Sequence, residues 1–399
     1  MNILILNSGS SSIKYQLISM PSEKVLGQGT MEKIGSTDAI FKFGTATFSM
    51  EEILFIKDHD HGLRKMVDIL TDPDKGIVER AGDIHAVGHR VVHGGNLFSG
   101  PTLVDQKVKD DIRDLFTLAP LHNPHNWAGI ELAGNIFEGA VQVAVFDTAF
   151  HQTMPSRAKR YALPNALFLE HTIQAYGFHG ISHKYVSGLA VEYLDKATSK
   201  VISVHLGNGC SMTAVVNGQS MDHSLGFTPA NGLIMGTRSG DIDHSIIFHL
   251  VHNLEYALKE VEDLLLRESG MFGLTGFNDL RDVEAAAAKG DEECLLALEM
   301  NAYRIKKYIG AYAAAMNGLD AIVFTAGIGE NSSTLRKLVC DRMEYLGIIL
   351  DADKNVQKSI GIHEINTLSS PVKILVVPTN EELEIARQAF GLVKGDQVL

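Results

Sequence analysis

The N-terminal segment constrains the fold of this chain more than any other part of the sequence. An apolar run, Ile3 to Leu6, leads directly into a turn of small, hydroxyl-rich residues, Asn7 to Ser12, and apolar residues resume at Ile13. This pattern predicts two strands joined by a turn whose backbone N–H groups and hydroxyls, with Lys14 beside them, suit close approach of phosphate oxygens. The P-loop spacing G-x-x-x-x-G-K-[ST] is absent, so we expect a different nucleotide-binding fold.

The same device recurs in the second half of the chain. The apolar run Val201 to Leu206 ends in a glycine turn, Gly207 to Ser211, after which alternation resumes at Thr213. Two such units predict a duplicated architecture whose halves face one phosphate chain. Two unrelated glycine hairpins are the alternative, since such turns are common.

The remaining apolar patterns predict an α/β fold. A helical pattern runs from Ala302 to Met316, and a final helix carries Leu383 and Phe390 on one face, with Thr379 and Glu382 as a capping box. Strand-like runs alternate with such helices at Ile3–Leu6, Ala86–Val92, Val141–Phe146, Val201–Leu206, Ala321–Thr325 and Lys373–Val377.

Length and charge narrow the class of protein. A chain of 399 residues exceeds what one core usually supports, so we expect a first domain over residues 1–150, completed by a C-terminal helix over 381–399, and a second domain over 151–380. The net charge of −13 argues against a nucleic-acid partner.

Targeting signals and cysteines indicate the compartment. The N-terminal apolar stretch is too short for a signal peptide and no run reaches the length of a membrane span, so we expect a cytoplasmic protein without a membrane partner. Cys210, Cys294 and Cys340 lack C-x-x-C spacing, which favours reduced thiols.

Asp147 and Arg90 are the first candidates for chemistry. Asp147 follows the predicted strand Val141 to Phe146, at the strand end where open α/β sheets bind ligands. An aspartate that only caps a turn is the alternative. Arg90 lies among glycines in the segment His89 to Gly95, and its guanidinium could hold a small carboxylate by two parallel hydrogen bonds.

A second arginine, Arg238, lies in a polar loop flanked by glycines, Gly236 to Asp243. This loop predicts a clamp for a phosphoryl group. A surface ion pair with Asp241 or Asp243 is the alternative, because exposed ion pairs are common.

Two histidine pairs, His89/His93 and His179/His183, have the spacing of metal ligands on a helix. They lie among glycines and lack an evident third ligand, which argues against zinc. We expect His179 to donate a hydrogen bond to a charged oxygen and His183 to be structural.

The segment Phe324 to Asn331 also follows a predicted strand. It is similar to a dinucleotide-binding turn, but the third glycine of G-x-G-x-x-G is missing. A pocket for a purine or a ribose fits the segment equally well.

Taken together, these motifs resemble those of the acetokinase family, within the acetate/sugar kinase, Hsp70 and actin superfamily, over essentially the whole chain. The resemblance implies two ribonuclease H-like (actin-like ATPase) domains with an active-site cleft between them, usually in a homodimer. The implied reaction is direct, in-line and reversible transfer of the γ-phosphoryl group of ATP to acetate, giving acetyl phosphate and ADP. The segments that carry it are Asn7–Lys14, His89–Gly95, Pro120–Pro124, Phe146–Phe150, Gly177–His183, His205–Ser211, Met235–Asp243, Gly327–Asn331 and Thr379–Glu382.

The resemblance also implies roles for residues of the first domain. Asn7 and Glu381 match magnesium-site residues, with Mn²⁺ as a substitute metal, and Lys14 matches a contact to the nucleotide phosphates. Arg90 matches the arginine that binds the substrate carboxylate, and Asp147 matches the catalytic aspartate.

In the second domain, His179 and Arg238 match residues that stabilise the transition state. An apolar pocket for the acetate methyl group would comprise Val92, Leu121, Phe178 and Pro229. The nucleotide-binding residues would be His205, Leu206, Gly207, Asn208, Gly209, Asp279, Leu280, Arg281, Gly327, Ile328, Gly329, Glu330 and Asn331.

Three alternatives to acetate and ATP remain at this stage. Propionate or another short-chain acid could be the acceptor, since one methylene changes binding in an apolar pocket by only about 1–3 kcal/mol. Pyrophosphate could replace ATP, although the nucleotide segments favour a nucleoside. An Hsp70-like binding module would need an appended peptide-binding domain, for which no residues remain.

Overall fold

The structure is a computed structural model that describes residues 1–395 and divides into two compact units. Unit 1 comprises residues 1–150 and the C-terminal segment from residue 380, and unit 2 comprises residues 151–379. Residues 396–399 of the predicted C-terminal helix lie outside the described residues.

The strands form two sheets, one in each unit. In chain order they are β1 (Asn2–Ser8), β2 (Ser12–Ser19), β3 (Lys24–Glu32), β4 (Ala39–Gly44), β5 (Ser49–Leu54), β6 (Ala86–Val91), β7 (Thr102–Leu103), β8 (Val141–Phe146), β9 (Lys200–Leu206), β10 (Cys210–Val216), β11 (Gln219–His223), β12 (Ala321–Thr325), β13 (His363–Glu364) and β14 (Lys373–Val376).

Helices follow or connect most of these strands. They are α1 (His59–Leu70), α2 (Gln106–Asp114), α3 (Asn123–Ile136), α4 (Ser156–Lys159), α5 (Asn165–His171), α6 (Gly180–Leu194), α7 (Ser245–Asn253), α8 (Leu258–Arg267), α9 (Gly270–Thr275), α10 (Leu280–Ala287), α11 (Glu292–Ala315), α12 (Ala326–Asn331), α13 (Ser333–Cys340), α14 (Ala352–Val356) and α15 (Glu381–Lys394).

The two sheets repeat one strand order. In unit 1 the order is β5-β4-β3-β2-β1-β6-β8-β7, and in unit 2 it is β11-β10-β9-β12-β14-β13. In both, the first strand of the unit pairs antiparallel with the next strand and parallel with a later one, β6 or β12. The segments β3-β2-β1-β6-β8 and β11-β10-β9-β12-β14 therefore correspond strand by strand, which confirms the predicted duplicated α/β fold.

The central strands are apolar because both of their faces are covered. Ile3 to Leu6 of β1 are at most 1% exposed, and β12 is buried along its whole length. On one face of the unit 1 sheet, Leu4, Tyr15 and Phe41 pack with side chains of α1 and α3. The C-terminal ends of these parallel strands lie at one edge of each sheet, where ligands are expected.

Helix α15 packs against β1, β6 and β8 of unit 1. Close packing there requires glycine at Gly88, since a Cβ at that position would lie 2.8 Å from Ile385. The predicted capping box at Thr379 is wrong, because the helix is capped by Asn380, whose side chain accepts from the amide of Leu383 at 3.0 Å. The cap places Glu381 at the start of the helix.

Candidate active site

Arg90 and Asp147 form an ion pair at the C-terminal ends of two neighbouring parallel strands. Arg90 lies in β6 and Asp147 directly follows β8. Nη2 of Arg90 donates to Oδ2 of Asp147 at 2.6 Å, and Nε lies 3.2 Å from both carboxylate oxygens. Asp147 is 1% exposed. The ion pair thus fixes the plane of the Arg90 guanidinium, which the family resemblance predicts to bind the carboxylate of acetate.

Glu381 adds a second carboxylate beside this pair. Its Oε2 lies 3.9 Å from Nε of Arg90. Burial raises the pKa of Glu381, with Arg90 acting in the opposite direction and the Asp147 and Glu382 carboxylates raising it further. Burial disfavours the charge on Arg90, but these carboxylates outweigh it and raise the pKa of the guanidinium. The cluster therefore holds more negative than positive charge around one arginine.

The two other predicted phosphate and metal residues of unit 1 lie opposite each other on the first hairpin. Asn7 of β1 pairs in register with Lys14 of β2. Lys14 is exposed and lines a cavity of about 590 Å³ together with Thr30 and Glu382. The first residues of α15 and the N-terminal hairpin thus meet at this cavity.

Two buried asparagines of α3, which the sequence analysis did not single out as site residues, connect the loops of unit 1. Asn126 donates to the carbonyl of Ser8 at 2.8 Å and accepts from the amide of Val92 at 3.1 Å. Asn123 donates to the carbonyl of His93 at 2.9 Å and accepts from the amide of the same residue at 3.1 Å. Their spacing of three residues on one helix, after a loop that contains Pro120, was the signal available in the sequence.

The four residues predicted to surround the acetate methyl group divide equally between the units. Val92 follows β6 in unit 1, and Leu121 of the same unit is 59% exposed. In unit 2, Phe178 is 2% exposed, and the carbonyl of Pro229 accepts from Nη1 of Arg238 at 2.9 Å. Their common role in binding acetate stays a prediction.

In unit 2, His179 and Arg238 meet over the turn between β9 and β10. A Cβ built on Gly209 would lie 3.4 Å from Nε2 of His179 and 3.8 Å from Nη1 of Arg238. Glycine at this position therefore leaves room for a small group in contact with both side chains. The backbone of His179 is left-handed, with φ +55°, which is uncommon for a residue other than glycine and often marks a functional site.

Arg238 is not held by a carboxylate. Its guanidinium donates to the carbonyl of Pro229 and lies 3.8 Å from Sδ of Met235, and in the described part of the chain no acidic group lies within 4.0 Å of it. Burial lowers the pKa of Arg238. The alternative of an ion pair with Asp241 fails, because Asp241 accepts from Gly232 and Tyr308 instead.

The predicted nucleotide segments line a cavity of about 800 Å³ in unit 2. Asp279 caps α10 and also binds the guanidinium of Arg281, which lowers the pKa of Asp279 to about 2. The lining residues include Gly207, Asn208, Asp279, Leu280, Arg281, Gly327, Ile328 and Asn331 from the predicted set, and Asn278, Glu284, Ser332 and Lys358, which sequence reasoning missed.

The remaining predicted nucleotide residues are not among those that line this cavity. Leu206 and His205 are buried in β9, and Gly329 is buried in α12. The carboxylate of Glu330 accepts from the amide of Thr379 at 3.1 Å. Arg336 donates to the carbonyls of Gly329 and Glu330 at 2.8 and 2.9 Å, and so holds the end of α12 in place.

Two negative findings apply to residues 1–395. No group of three or more His, Cys, Asp or Glu side chains is arranged to hold a metal ion in this range. The helices within the same range are all too short or too polar to cross a membrane.

The fold is that of a known class of phosphotransferase. A crystal structure of acetate kinase from Porphyromonas gingivalis superposes with a TM-score of 0.93 at 41% identity, covering 98% of this chain and 99% of that one. A propionate kinase from Francisella tularensis gives a TM-score of 0.92 at 42% identity, with the same coverage of both chains. The chain has the duplicated actin-like ATPase fold of these structures.

Sequence comparison identifies the family. The model of the acetokinase family matches residues 2–387. An acetate kinase of Flavobacterium johnsoniae is 57% identical over 394 residues, which cover 99% of this chain and 100% of that protein. The chain therefore belongs to the acetokinase family, as its motifs predicted. Members of this family are phosphotransferases that act on a carboxyl group and use ATP or ADP with a divalent metal ion.

Proposed function

We propose that this protein catalyses the reversible transfer of the γ-phosphoryl group of ATP to acetate, forming acetyl phosphate and ADP. The observation that carries the proposal is the turn between β9 and β10. Its first two residues, Gly207 and Asn208, line the nucleotide cavity, and its third, Gly209, lies beside His179 and Arg238. One short turn therefore connects a place for a nucleotide with two donors for phosphoryl oxygens.

The chemical difficulty is charge repulsion rather than deprotonation. A carboxylic acid with a pKa near about 4.3 is already ionised at neutral pH, so no strong base is needed. Two anions must instead be brought together in line, which makes positioning and charge neutralisation the main sources of catalysis.

We assign these tasks to residues of both units. Arg90, oriented by its ion pair with Asp147, binds the acetate carboxylate. His179 and Arg238 donate to the equatorial oxygens of the transferring group, whose negative charge must be stabilised in the transition state. Lys14, on the exposed face of its hairpin, binds nucleotide phosphates. We further propose that the two units are the two domains of this reaction.

Magnesium is the divalent ion we propose, with Mn²⁺ as a substitute, and Asn7 and Glu381 are the residues that would hold it. Mg²⁺ commonly binds one or two carboxylates and completes its shell with phosphate oxygens and water. Burial, together with the neighbouring carboxylates of Asp147 and Glu382, raises the pKa of Glu381, and this excess of carboxylates around Arg90 suits such a cation. When bound, the ion would neutralise charge on the nucleotide phosphates. Asp147 then has two partners to orient: Arg90, and the metal or its waters.

The test is direct formation of acetyl phosphate. Purified protein is incubated with ATP, Mg²⁺ and acetate, and the product is trapped as the hydroxamate. We expect product that requires all three components. Replacing ATP with pyrophosphate should abolish it. An absence of product with ATP, under conditions where the protein is folded, would refute the proposal.

Propionate is the second candidate acceptor, because a propionate kinase is among the close structural matches. An apolar pocket distinguishes one methylene by about 1–3 kcal/mol, or roughly 10- to 200-fold. Measuring kcat/KM for acetate, propionate and butyrate decides between them. We expect acetate to have the highest value.

A homodimer is the proposed assembly. Segment 242–258 of unit 2 exposes several large apolar side chains, and monomeric proteins rarely leave such a patch uncovered. These residues are Ile242, Ile246, Phe248, Leu254, Tyr256 and Leu258. Light scattering should give twice the chain mass of 43.5 kDa, and Phe248→Glu should lower it towards that of a single chain.

A further inference from the structure

A row of buried imidazoles and serine hydroxyls lies behind His179. Nδ1 of His179 lies 2.9 Å from the hydroxyl of Ser211 in β10, and the same hydroxyl lies 2.7 Å from Nε2 of His183. Nδ1 of His183 lies in turn 2.9 Å from the hydroxyl of Ser203. Ser211, His183 and Ser203 are fully buried, so these groups must satisfy their hydrogen bonds within the row.

Because the Ser211 hydroxyl lies between two imidazoles, the position of the proton on His183 affects its position on His179. A serine hydroxyl has one proton, so Ser211 donates to one imidazole and accepts from the other. Burial, reinforced by neighbouring imidazoles, lowers the pKa of His183 well below its usual value, which makes His183 a neutral ring with one N–H. When that N–H is on Nε2, His183 donates to Ser211. Ser211 then donates to Nδ1 of His179.

We propose that Ser211 is a positioning residue that orients the ring of His179 and keeps its proton on Nε2, the atom that faces the transferring phosphoryl group. In this arrangement Nε2–H of His179 and Nη1 of Arg238 both donate over Gly209. The opposite arrangement would present a lone pair of His179 to an anionic oxygen. The inference rests on the proposed function, because phosphoryl transfer is the reason that a donor is needed there.

One hairpin carries two partners of the ring of His179. Ser211 pairs in register with His205, whose ring stacks on His179 with 4.5 Å between centroids. Gly209, at the turn of the same hairpin, is two residues from Ser211. The left-handed backbone of His179 is costly for this residue and persists only when its surroundings hold it, which the hydrogen bond and the stacking both do.

The first test compares Ser211→Ala with a matched control, Ser220→Ala. Ser220 is equally buried, and its hydroxyl lies 2.9 Å from Nδ1 of His151, so its loss removes a bond of the same type. We expect Ser211→Ala to lower kcat by about 10-fold, with KM for ATP and acetate within about twofold of wild type. Ser220→Ala should retain wild-type kcat. Equal kcat values in wild type and Ser211→Ala would overturn the inference.

The second test asks whether Ser211 acts through His179. In a His179→Ala background, Ser211→Ala should have no further effect on kcat, since the ring that it orients is gone. An undiminished 10-fold loss in that background would show that Ser211 acts in another way and would also overturn the inference. Ser211→Cys retains the side-chain volume but donates only weakly, so it should lower kcat as the alanine variant does, and it keeps the measurement possible if Ser211→Ala does not fold.

The two proposals fail in different ways. If wild-type protein forms no acetyl phosphate, the proposed function is wrong. If wild type is active and His179→Ala is impaired, while Ser211→Ala and Ser211→Cys are normal, only the role of Ser211 is wrong.

Discussion

The two units share one strand order, but they hold their arginines in opposite ways. In unit 1 the guanidinium of Arg90 is engaged by Asp147 at 2.6 Å, with Glu381 3.9 Å away. In unit 2 the described contacts of Arg238 are a carbonyl and a thioether. Duplication therefore preserved the sheet, whereas the loops at the strand ends acquired different chemistry.

The difference suits the two ligands that we propose. A paired guanidinium is held rigidly and retains free N–H groups, which is appropriate for orienting a small carboxylate. A half-buried arginine without a carboxylate partner keeps its charge available for an anion whose negative charge must be stabilised in the transition state. Four experiments test this contrast.

The largest effect is expected from Arg238→Ala. If Arg238 stabilises the transferring phosphoryl group as we propose, its removal should lower kcat by about 10³-fold or more, as for arginine fingers, with smaller changes in KM. The free energy of unfolding should change little, because no buried carboxylate loses its partner. Steady-state kinetics of acetyl phosphate formation and urea unfolding measure both quantities. Arg267→Ala, at an exposed position of α8, is the control, and near-normal turnover of Arg238→Ala would contradict its role.

Arg90→Ala, unlike Arg238→Ala, should raise KM for acetate and also lower the free energy of unfolding. Loss of charged hydrogen bonds to the substrate should raise KM for acetate by about 100-fold. Asp147 would also be left buried without its partner, so the free energy of unfolding should fall by about 3 kcal/mol. The same two measurements apply. If Arg90→Ala is as stable as Arg238→Ala, the contrast between a paired and an unpaired arginine is lost.

Asp147→Asn tests the role of the carboxylate in unit 1. We expect apparent magnesium affinity or activity to fall by about 10- to 100-fold, as for residues that orient metal sites and their neighbours. The pH profile of kcat should stay unchanged, since the acceptor is already ionised. A shifted pH profile with normal magnesium dependence would instead indicate proton transfer by Asp147.

The smallest effect concerns the neutral imidazoles of unit 2. Burial lowers the pKa of His151 to about 3. In the unfolded chain the ring has an ordinary pKa near about 6.5, so stability is full above that pH and is lost as the pH falls towards the native pKa. Between pH 7 and pH 5 this ring alone should cost about 2 kcal/mol.

A matched pair of variants isolates this contribution. His151→Gln should reduce the loss of unfolding free energy between pH 7 and pH 5 by about 2 kcal/mol, because the titrating group is gone. His252→Gln, at an exposed position of α7, should leave the loss unchanged. Urea unfolding at both pH values measures the difference, and equal pH dependence in the two variants would show that His151 is not held neutral.

Several elements followed directly from local sequence. The six apolar runs predicted as strands are all strands, and each lies in the central part of a sheet, where burial on both faces demands continuous apolar residues. The two hairpin turns were predictable because turn residues act locally. Strands β3 to β5 were not predicted, since their mixed polar pattern belongs to an antiparallel meander with one open face.

The candidate sites were predictable only in part. Chain position placed Asp147 at a strand end, but its bond to Arg90 depends on the parallel pairing of β6 with β8. The lining residues Glu284 and Lys358 carried no motif, because α10 and the segment after α14 reach the cavity of unit 2 through packing alone. Local sequence likewise did not distinguish Asn380 from the adjacent Thr379 as the N-cap of α15, because the backbone conformation at the start of the helix determines which residue caps it.

Local sequence was sufficient to predict the duplicated α/β class, the family and the residue types available for chemistry, because apolar runs and turn residues act over a few neighbouring positions. Which charges are paired, in contrast, depends on how the chain folds. Whether an arginine meets a carboxylate depends on contacts between segments such as β6 and β8 that are distant along the chain. The free energy of those contacts comes from burial, which no local pattern specifies.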